Sequence, residues 1–151
     1  MTVRNVRAED LPQISALEES CFSVPWTEEM LRSLLTDGHV FLAAEEDGQV
    51  LGYAGLQYVL DEGYITNVAT SPARRREGIA GLLLSALKQR AEDLGLTFLT
   101  LEVRRSNAPA RRLYEKHGFF DVGRRRGYYE SPREDAILMT YFFSASDSQN
   151  R

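Results

Sequence analysis

The chain has 151 residues, of which 43% are hydrophobic and 26% charged, and its formal net charge is −4. These values are ordinary for a single globular domain. No apolar run reaches the about 18 residues of a membrane span, and no basic segment precedes an apolar one at the N-terminus, so neither a span nor a secretory signal is expected. The single cysteine, Cys21, cannot form an internal disulfide and favours a reducing cytoplasm. His39 and His117 are too far apart in the sequence to predict a metal site.

Charge is distributed unevenly along the chain. Residues 1–73 contain 12 acidic and 3 basic residues (net −9), whereas residues 74–151 contain 10 acidic and 15 basic residues (net +5). The asymmetry predicts an anionic partner for the C-terminal half and a cationic one for the N-terminal half. Any one basic cluster is also consistent with solvated arginines at the end of an element. The clusters are Arg74–Arg76, Arg104–Arg105, Arg111–Arg112 and Arg124–Arg126.

The first 35 residues predict a short strand followed by two helices. TVRNV is typical of a strand, and Asp10 is the expected N-cap of a helix with Pro12 in its first turn. The segment SVPW ends this helix because the residue before a proline is pushed out of the α region. Thr27 is the expected cap of the second helix. The apolar residues of the first helix recur at helical spacing, at Leu11, Ile14, Leu17 and Cys21.

The remaining elements predict a mixed sheet. VFLAAEE and QVLGYAGLQYV flank an Asp47-Gly48 hairpin turn, and GYITNVAT is a further strand. A helix that Gly95 ends, the strand TFLTLEV and a helix between Asn107 and Gly118 follow. FFDVGRR and DAILMTYFF are two late strands around the loop RGYYESPRE. The sequence therefore predicts an α/β domain over residues 1–143, with six to seven strands, helices on both faces, and a polar, disordered tail at 144–151.

The stretch Ser71–Ala91, SPARRREGIAGLLLSALKQRA, places three arginines before a glycine that opens an apolar helix. The first turn of a helix has free N–H donors and a positive dipole end, which together favour a phosphate. Gly78 lets a ligand approach the main chain, and Ala80 and Gly81 are small residues close by. Arginine side chains can bind phosphate oxygens with two hydrogen bonds.

Three phosphate-binding motifs compete for this stretch. A P-loop needs GxxxxGK[ST], and Lys88 lies too late in the helix for it. A dinucleotide-binding unit would use Glu102 as its ribose-binding acid, but the GxGxxG spacing is missing. The third motif, R/Q-x-x-G-x-G/A, matches residues 75–80.

This third motif resembles the acyl-CoA pyrophosphate loop of the GCN5-related N-acetyltransferase (GNAT) family. LEVRRSNAPARRLYEKHGF (101–119) and YYESPREDAILM (128–139) resemble the RimI-type protein N-terminal acetyltransferases, and the resemblance runs over nearly the whole chain. Val24 departs from the family's usual Phe-Pro-Trp, and Ala80 replaces a glycine. The resemblance implies the GNAT fold, acetyl-CoA as co-substrate and no metal.

The resemblance also assigns residues to the co-substrate. It implies that Asn107 contacts acetyl-CoA as well as capping its helix. The main chain of three residues in the fourth strand would bind the pantetheine arm where the fourth and fifth strands separate, since freed main-chain groups need partners. The strand residues are Val68, Ala69 and Thr70, and those of the pyrophosphate loop are Arg75, Arg76, Glu77, Gly78, Ile79, Ala80 and Gly81.

Glu102 is the candidate general base. It alternates with Leu101 and Val103 on its strand and so points to the opposite face. An α-amino group has a pKa of about 7.7–8.0 and must lose a proton before it attacks, which a carboxylate within reach can accept. The resemblance implies this role for Glu102. The alternatives are a surface glutamate paired with Arg104, or Glu62 as the base.

Tyr114 is the proton donor that the resemblance implies. A phenol of pKa about 10 gives up its proton reluctantly, so hydrogen-bond stabilisation is an alternative role. From the residues alone, a helix aromatic packed on the sheet is equally expected.

The acceptor groove is expected between CFSVPW and RGYYESPRED, with Trp26, Tyr128 and Tyr129 as its walls. Glu62, with Asp61 beside it, would attract a basic peptide. The resemblance implies the N-terminal alanine of a small-subunit ribosomal protein as substrate. A small amine or a lysine side chain, a non-catalytic acyl-CoA-binding module, and a nucleic-acid module remain as alternatives. We expect a monomer or weak dimer that binds neither membranes nor nucleic acid directly.

Overall fold

The computed structural model describes residues 1–144, which form one seven-stranded sheet with helices on both faces. Within these residues, no helix combines the length and apolar character needed to cross a membrane. The strands are β1 (Thr2–Asn5), β2 (His39–Glu46), β3 (Gln49–Val59), β4 (Glu62–Thr70), β5 (Phe98–Arg104), β6 (Phe120–Tyr129) and β7 (Glu134–Phe142). The α-helices are α1 (Leu11–Cys21), α2 (Glu28–Arg32), α3 (Ile79–Asp93) and α4 (Ala108–Lys116), and short 3₁₀ turns lie at Ala8–Asp10, Ser33–Leu35 and Pro72–Arg74.

The strand order is β1-β2-β3-β4-β5-β7-β6, and each neighbouring pair is antiparallel except the parallel pair β4–β5. Helices α1 and α2 bury Leu11, Ile14 and Leu31 against one face of the sheet. Helices α3 and α4 bury Leu83 and Tyr114, among others, against the opposite face. The predicted mixed sheet with helices on both faces is therefore confirmed.

Local sequence signals fix several element ends as predicted. Asp47 and Gly48 both have positive φ, as the tight hairpin turn requires. The Thr27 hydroxyl accepts a hydrogen bond from the Met30 N–H at 3.2 Å, which caps α2. Asn107 caps α4 in the same way, since its Oδ1 accepts from the Ala110 N–H at 3.2 Å.

Asp10 does not cap α1, contrary to the sequence prediction. A 3₁₀ turn precedes α1, so Asp10 already has helical backbone angles (φ −80, ψ −17) and its side chain bonds backwards. Its carboxylate accepts from the Arg7 N–H at 2.7 Å and from Arg4 at 2.7 and 2.9 Å. The hydrogen bonds with Arg4 hold the pKa of Asp10 below its usual value.

Strand β6 is longer than predicted. The sequence predicted a loop from Arg126 onward, but the strand continues to Tyr129, which pairs with Glu134 of β7 across a short turn. Two tyrosines at the strand end favour extended backbone, and a register shift between Arg125 and Tyr129 accommodates the change. Of the predicted tail, 144–151, all but Ser144 lies outside the described residues.

Strands β4 and β5 separate after a short parallel contact. They pair only between residues 62–64 and 98–100. A register shift between Gly55 and Leu56, opposite residues 65–67, bends β4. The later part of β4 therefore no longer pairs with β5, and a cleft opens between the two strands. The predicted separation of these strands is confirmed.

Candidate active site

The cleft between β4 and β5 has a volume of about 870 Å³ and lies at the end where the two strands have separated. Its lining comes from α1 and the loop after it, from β4 and β5, from α4 and from the end of β6. It thus brings together segments that are far apart in the sequence. The predicted site residues that line it are Trp26, Val68, Glu102, Asn107, Tyr114, Tyr128 and Tyr129.

Glu102 lies on β5 and points into this cleft, while its neighbours Leu101 and Val103 are buried in the core, as the alternation predicted. Its side chain is only 6% exposed. The Tyr64 hydroxyl donates to Glu102 Oε1 at 2.9 Å. Glu102 Oε2 lies 3.6 Å from Nε of Arg125 and has no hydrogen-bond partner within residues 1–144. One oxygen of the carboxylate is therefore held by a hydrogen bond, and the other is buried beside the half-exposed Arg125 side chain.

Glu102 is not paired with Arg104, which was the alternative to a catalytic role. Arg104 instead bonds Glu134 at 3.3 Å and donates to the carbonyl oxygens of Glu130 and Pro132 at 2.8 and 2.9 Å. Its guanidinium also lies 4.5 Å from the centre of the Tyr129 ring. Arg104 thus holds the turn between β6 and β7, which forms one wall of the cleft.

Three phenols surround the Glu102 carboxylate. Burial raises the pKa of Tyr64 and of Tyr129, and the interaction with Glu102 raises the pKa of Tyr128. Each phenol consequently keeps its proton at neutral pH and can act as a hydrogen-bond donor. The carboxylate thus lies in an environment of neutral donors, with Arg125 as its ion-pair partner.

Tyr114 reaches the cleft from α4. Burial raises its pKa to about 12, and its ring packs on Phe119 with 5.8 Å between ring centres. Tyr114 therefore combines the two sequence expectations, because it is a packed aromatic that also lines the cleft.

The arginine-rich turn leaves two of its three arginines without an acidic partner. Arg74 bonds Glu77 at 2.8 Å and Glu46 at 2.9 Å, and its hydrogen bond lowers the pKa of Glu77. Arg75 and Arg76 have no ion pair within the described part of the chain, and Arg75 Nη2 lies 3.8 Å from the Cys21 sulfur. Two guanidinium groups are thus exposed and available to an anion.

The main chain at the start of α3 is open. Gly78 has a φ of +81, and a Cβ placed on it would meet no atom within 4 Å. Ile79 is buried in the core, so only its main chain can serve a ligand, while Ala80 and Gly81 are half-buried. A positive φ and open space at the first turn are the features that a bound anion needs.

Within residues 1–144 the end of β4 pairs with a strand along one edge only, and the Cys21 thiol donates to the Thr70 carbonyl oxygen at 3.3 Å. Val68, Ala69 and Thr70 pair with Ala54, Tyr53 and Gly52 of β3. Among the described residues, no strand pairs with their other edge, because β5 has separated by this point.

Two predicted residues have peripheral positions. Glu62 is exposed at the first residue of β4 and does not line the cleft, so the structure does not bring it close to the other candidates. Asn107 is exposed at the start of α4 and contributes to the lining.

Sequence reasoning missed Tyr64 and Arg125, which interact with Glu102, and Glu18 and Asn67, which line the cleft. A signal for Glu18 exists in the sequence, since it follows Ile14 by four residues and Leu11 by seven and so belongs to the buried face of α1. Tyr64 pairs with Thr100, two residues before Glu102 on the same face. Only the strand register shows this, and the register could not be deduced from the sequence.

The chain is similar to acetyltransferases over most of its length. A family model described as the acetyltransferase (GNAT) family matches residues 11–119. The ribosomal protein bS18-alanine N-acetyltransferase of Escherichia coli (strain K12) is 36% identical over 140 residues, which are 91% of this chain and 95% of that protein.

Solved structures agree with this similarity. The ribosomal-protein-S18-alanine N-acetyltransferase from Escherichia coli matches with a TM-score of 0.90 and 35% identity, over 95% of this chain and 94% of that one. Arabidopsis thaliana NAA60 in complex with acetyl-CoA shares the fold, with a TM-score of 0.85 at 22% identity over 94% of this chain and 99% of that one. The resemblance to GNAT enzymes of the RimI type is confirmed, so this chain belongs to the GNAT family of acetyltransferases, and it is an N-acetyltransferase.

Proposed function

We propose that this chain transfers the acetyl group of acetyl-CoA to the α-amino group of the N-terminal alanine of ribosomal protein bS18. The names of its relatives in Escherichia coli support this substrate. The observation that carries the proposal is the nearly buried Glu102 carboxylate. It lies in a cleft that is lined by aromatic side chains from both halves of the chain.

The residues around the end of β4 fit acetyl-CoA. The free edge of Val68–Thr70 can pair with the amide groups of a pantetheine arm as it would with a strand. The open main chain of Gly78, with Arg75 and Arg76, suits a pyrophosphate. We propose that these residues, together with Glu77, Ile79–Gly81 and Asn107, hold the co-substrate, which supplies an acetyl group activated as a thioester.

Glu102 would accept the proton that the ammonium group of the substrate must lose. Tyr64 holds Oε1, so Oε2 is the oxygen able to accept this proton, directly or through one water molecule. Arg125 covers Oε2 at 3.6 Å, and its side chain is 54% exposed. We therefore expect Arg125 to move aside when the acceptor enters.

Tyr114 would supply a proton to the departing sulfur of CoA, as the counterpart of the proton that Glu102 accepts from the amine. Its pKa of about 12 ensures that its hydroxyl carries a proton at neutral pH. This proton can be donated to the departing sulfur, or can stabilise it through a hydrogen bond.

The acceptor would lie between Trp26 and the Tyr128–Tyr129 pair, whose rings are 5.0 Å apart at their centres. Phenol and indole rings give a rigid wall with polar groups at its edge, which suits a short peptide end. Glu62 is exposed and lies outside the cleft, so it would not contact the bound amine. Its negative charge would instead attract a basic peptide over a longer distance.

We further propose that residues 1–143 act as one domain, as a monomer or weak dimer, and that the reaction takes place in the cytoplasm. The continuous sheet supports a single domain. The free thiol of Cys21, the one cysteine of the sequence, is compatible with a reducing compartment.

Mass spectrometry of peptides incubated with the enzyme and acetyl-CoA tests this function. A peptide with the N-terminal sequence of bS18 should gain one acetyl group on its α-amino nitrogen. The same peptide with a blocked N-terminus and an internal lysine, and a panel of small amines, serve as controls. Acetylation of the controls in preference to the bS18 peptide would contradict the proposal.

A further inference from the structure

A second buried carboxylate lies beneath the acceptor side of the cleft. Glu18, on α1, is 1% exposed and also contributes to the lining of the cleft. Within residues 1–144 it forms no ion pair, although Arg75 approaches the neighbouring Cys21. A buried charge is costly unless it is well hydrogen-bonded, so the donors around Glu18 indicate what it does.

Three neutral donors from three segments bind the Glu18 carboxylate. The Trp26 main-chain N–H donates at 2.9 Å and the Asn67 side-chain amide at 3.3 Å. The Tyr53 hydroxyl, from β3, donates to the same oxygen as Asn67. Burial, followed by the interaction with Glu18, raises the pKa of Tyr53, so this phenol remains a donor at neutral pH. One carboxylate thus joins the loop after α1 to two strands of the sheet.

The bond to Trp26 holds a wall of the proposed acceptor groove. The segment 23–26 has no helix or strand, and Pro25 has no N–H to donate. Val24 is 62% exposed. Among the described residues, the Trp26 N–H is the one main-chain donor of this segment with a hydrogen-bond partner. This hydrogen bond and the packing of Trp26 against the core hold the wall in place.

The bond to Asn67 fixes part of β4. The Asn67 side chain turns its NH₂ group toward Glu18, and its Oδ1 has no hydrogen-bond partner within residues 1–144. Asn67 lies beside the register shift that bends β4, and it directly precedes Val68, where the free strand edge begins. Glu18 consequently ties the acceptor wall to the strand expected to bind the acetyl donor.

We propose that Glu18 is a positioning residue, which sets the distance between the Trp26 wall and β4 and so determines how well the acceptor amine is presented. The inference rests on the proposed function for its kinetic consequence, but the structural consequence at Trp26 does not depend on which amine is the substrate.

Glu18→Gln tests this role with little change in side-chain volume. The amide group puts a donor where three donors converge, so at least one of the three bonds is lost. We expect the KM for the acceptor peptide to rise about 10-fold or more, while the dissociation constant for acetyl-CoA changes less than about 2-fold. Trp26 is the one tryptophan of the chain, so its fluorescence reports this wall directly. Quenching of that fluorescence by acrylamide should increase.

Glu19→Gln is the matched control, because it removes the same charge from the next residue, which is exposed. Equal effects of the two substitutions on Trp26 quenching and on the KM would overturn the proposal, as would a loss confined to kcat with normal quenching. If Glu18→Gln does not fold, Tyr53→Phe removes one bond only and should shift KM and quenching in the same direction by about 2- to 10-fold. No change in that variant would also overturn it.

These outcomes separate the two proposals. If the bS18 peptide is not acetylated at all, the proposed function fails, whereas the quenching comparison between Glu18→Gln and Glu19→Gln still decides the role of Glu18.

Discussion

The regions proposed to bind the acetyl donor and the acceptor, the donor end and the acceptor end, present different chemical groups. At the donor end, residues 68–70 and 75–81, one edge of β4 has no strand partner within residues 1–144, the main chain is open at Gly78, and the exposed arginines supply charge. At the acceptor end, Glu102 and the surrounding tyrosines are side chains whose positions depend on one another. A main-chain site tolerates changes of side chain as long as the backbone keeps its shape. A site made of side chains does not, and this difference predicts how each end responds to substitution.

The largest loss of activity is expected from Glu102→Gln at the acceptor end. Turnover should fall by about 10²- to 10⁴-fold because the proposed proton acceptor is removed. The dissociation constant for acetyl-CoA should stay nearly unchanged, since that substrate is proposed to bind at the donor end. Steady-state kinetics and equilibrium binding measure the two quantities, with Glu115→Gln, exposed on α4, as control. Unchanged turnover would remove Glu102 from the role of base.

Gly78→Glu should instead weaken the binding of acetyl-CoA at the donor end. A side chain at a φ of +81 is strained, and a carboxylate would repel the pyrophosphate. We expect the dissociation constant for acetyl-CoA to rise about 10- to 100-fold. Gly95→Glu is a close control, because Gly95 has a φ of +76, also has open space around its Cβ position and ends the same helix. If both variants bind acetyl-CoA equally, the assignment of the pyrophosphate loop is wrong.

Tyr64→Phe tests whether Tyr64 orients the Glu102 carboxylate at the acceptor end. It removes the donor to Glu102 Oε1 without changing the ring, at a cost of about 1 kcal/mol. We expect kcat/KM for the peptide to fall about 2- to 13-fold, and the affinity for acetyl-CoA to be retained. Tyr58→Phe, a half-buried tyrosine on β3 outside the cleft, is the comparison. An effect no larger than that of Tyr58→Phe would mean that Tyr64 does not orient the carboxylate.

Arg125→Gln should have the smallest effect on activity, and it should raise activity rather than lower it. Arg125 is an exposed partner of Glu102 at 3.6 Å, and such pairs contribute little to stability. Removing the cation beside Oε2 should raise kcat/KM by about 2-fold, within the energy of an ion pair whose cation is exposed. The neighbouring exposed Arg126→Gln provides the control. A fall in kcat/KM in Arg125→Gln alone would show that Arg125 assists the reaction rather than blocking it.

The same contrast explains what could be predicted from the sequence. Thr27, Asn107 and the Asp47-Gly48 turn act through hydrogen bonds and backbone angles within a few residues, and they were predicted correctly. The second part of the donor end, residues 75–81, is a continuous stretch with its own motif, and Gly78 at its centre has a positive φ. Local physics decides all of these features.

The acceptor end depends on contacts between distant parts of the chain. The Tyr64–Glu102 bond spans 38 residues, and the Glu18–Asn67 bond spans 49. Such pairs follow from strand register and helix packing, which the sequence pattern alone does not determine. Asp10 was misassigned for a related reason, since its two partners, Arg4 and the Arg7 N–H, precede the helix that it was expected to cap.

The short contact between β4 and β5 has a consequence for the stability of the whole molecule. Three residue pairs connect the four strands β1–β4 to the three strands β5, β7 and β6. A ligand that pairs with the free edge of β4 and also contacts α4 would bridge these two parts and act as an extra strand. Binding would then stabilise the short β4–β5 junction of the sheet. The melting temperature should therefore rise as the cleft is occupied, and can be used to follow binding.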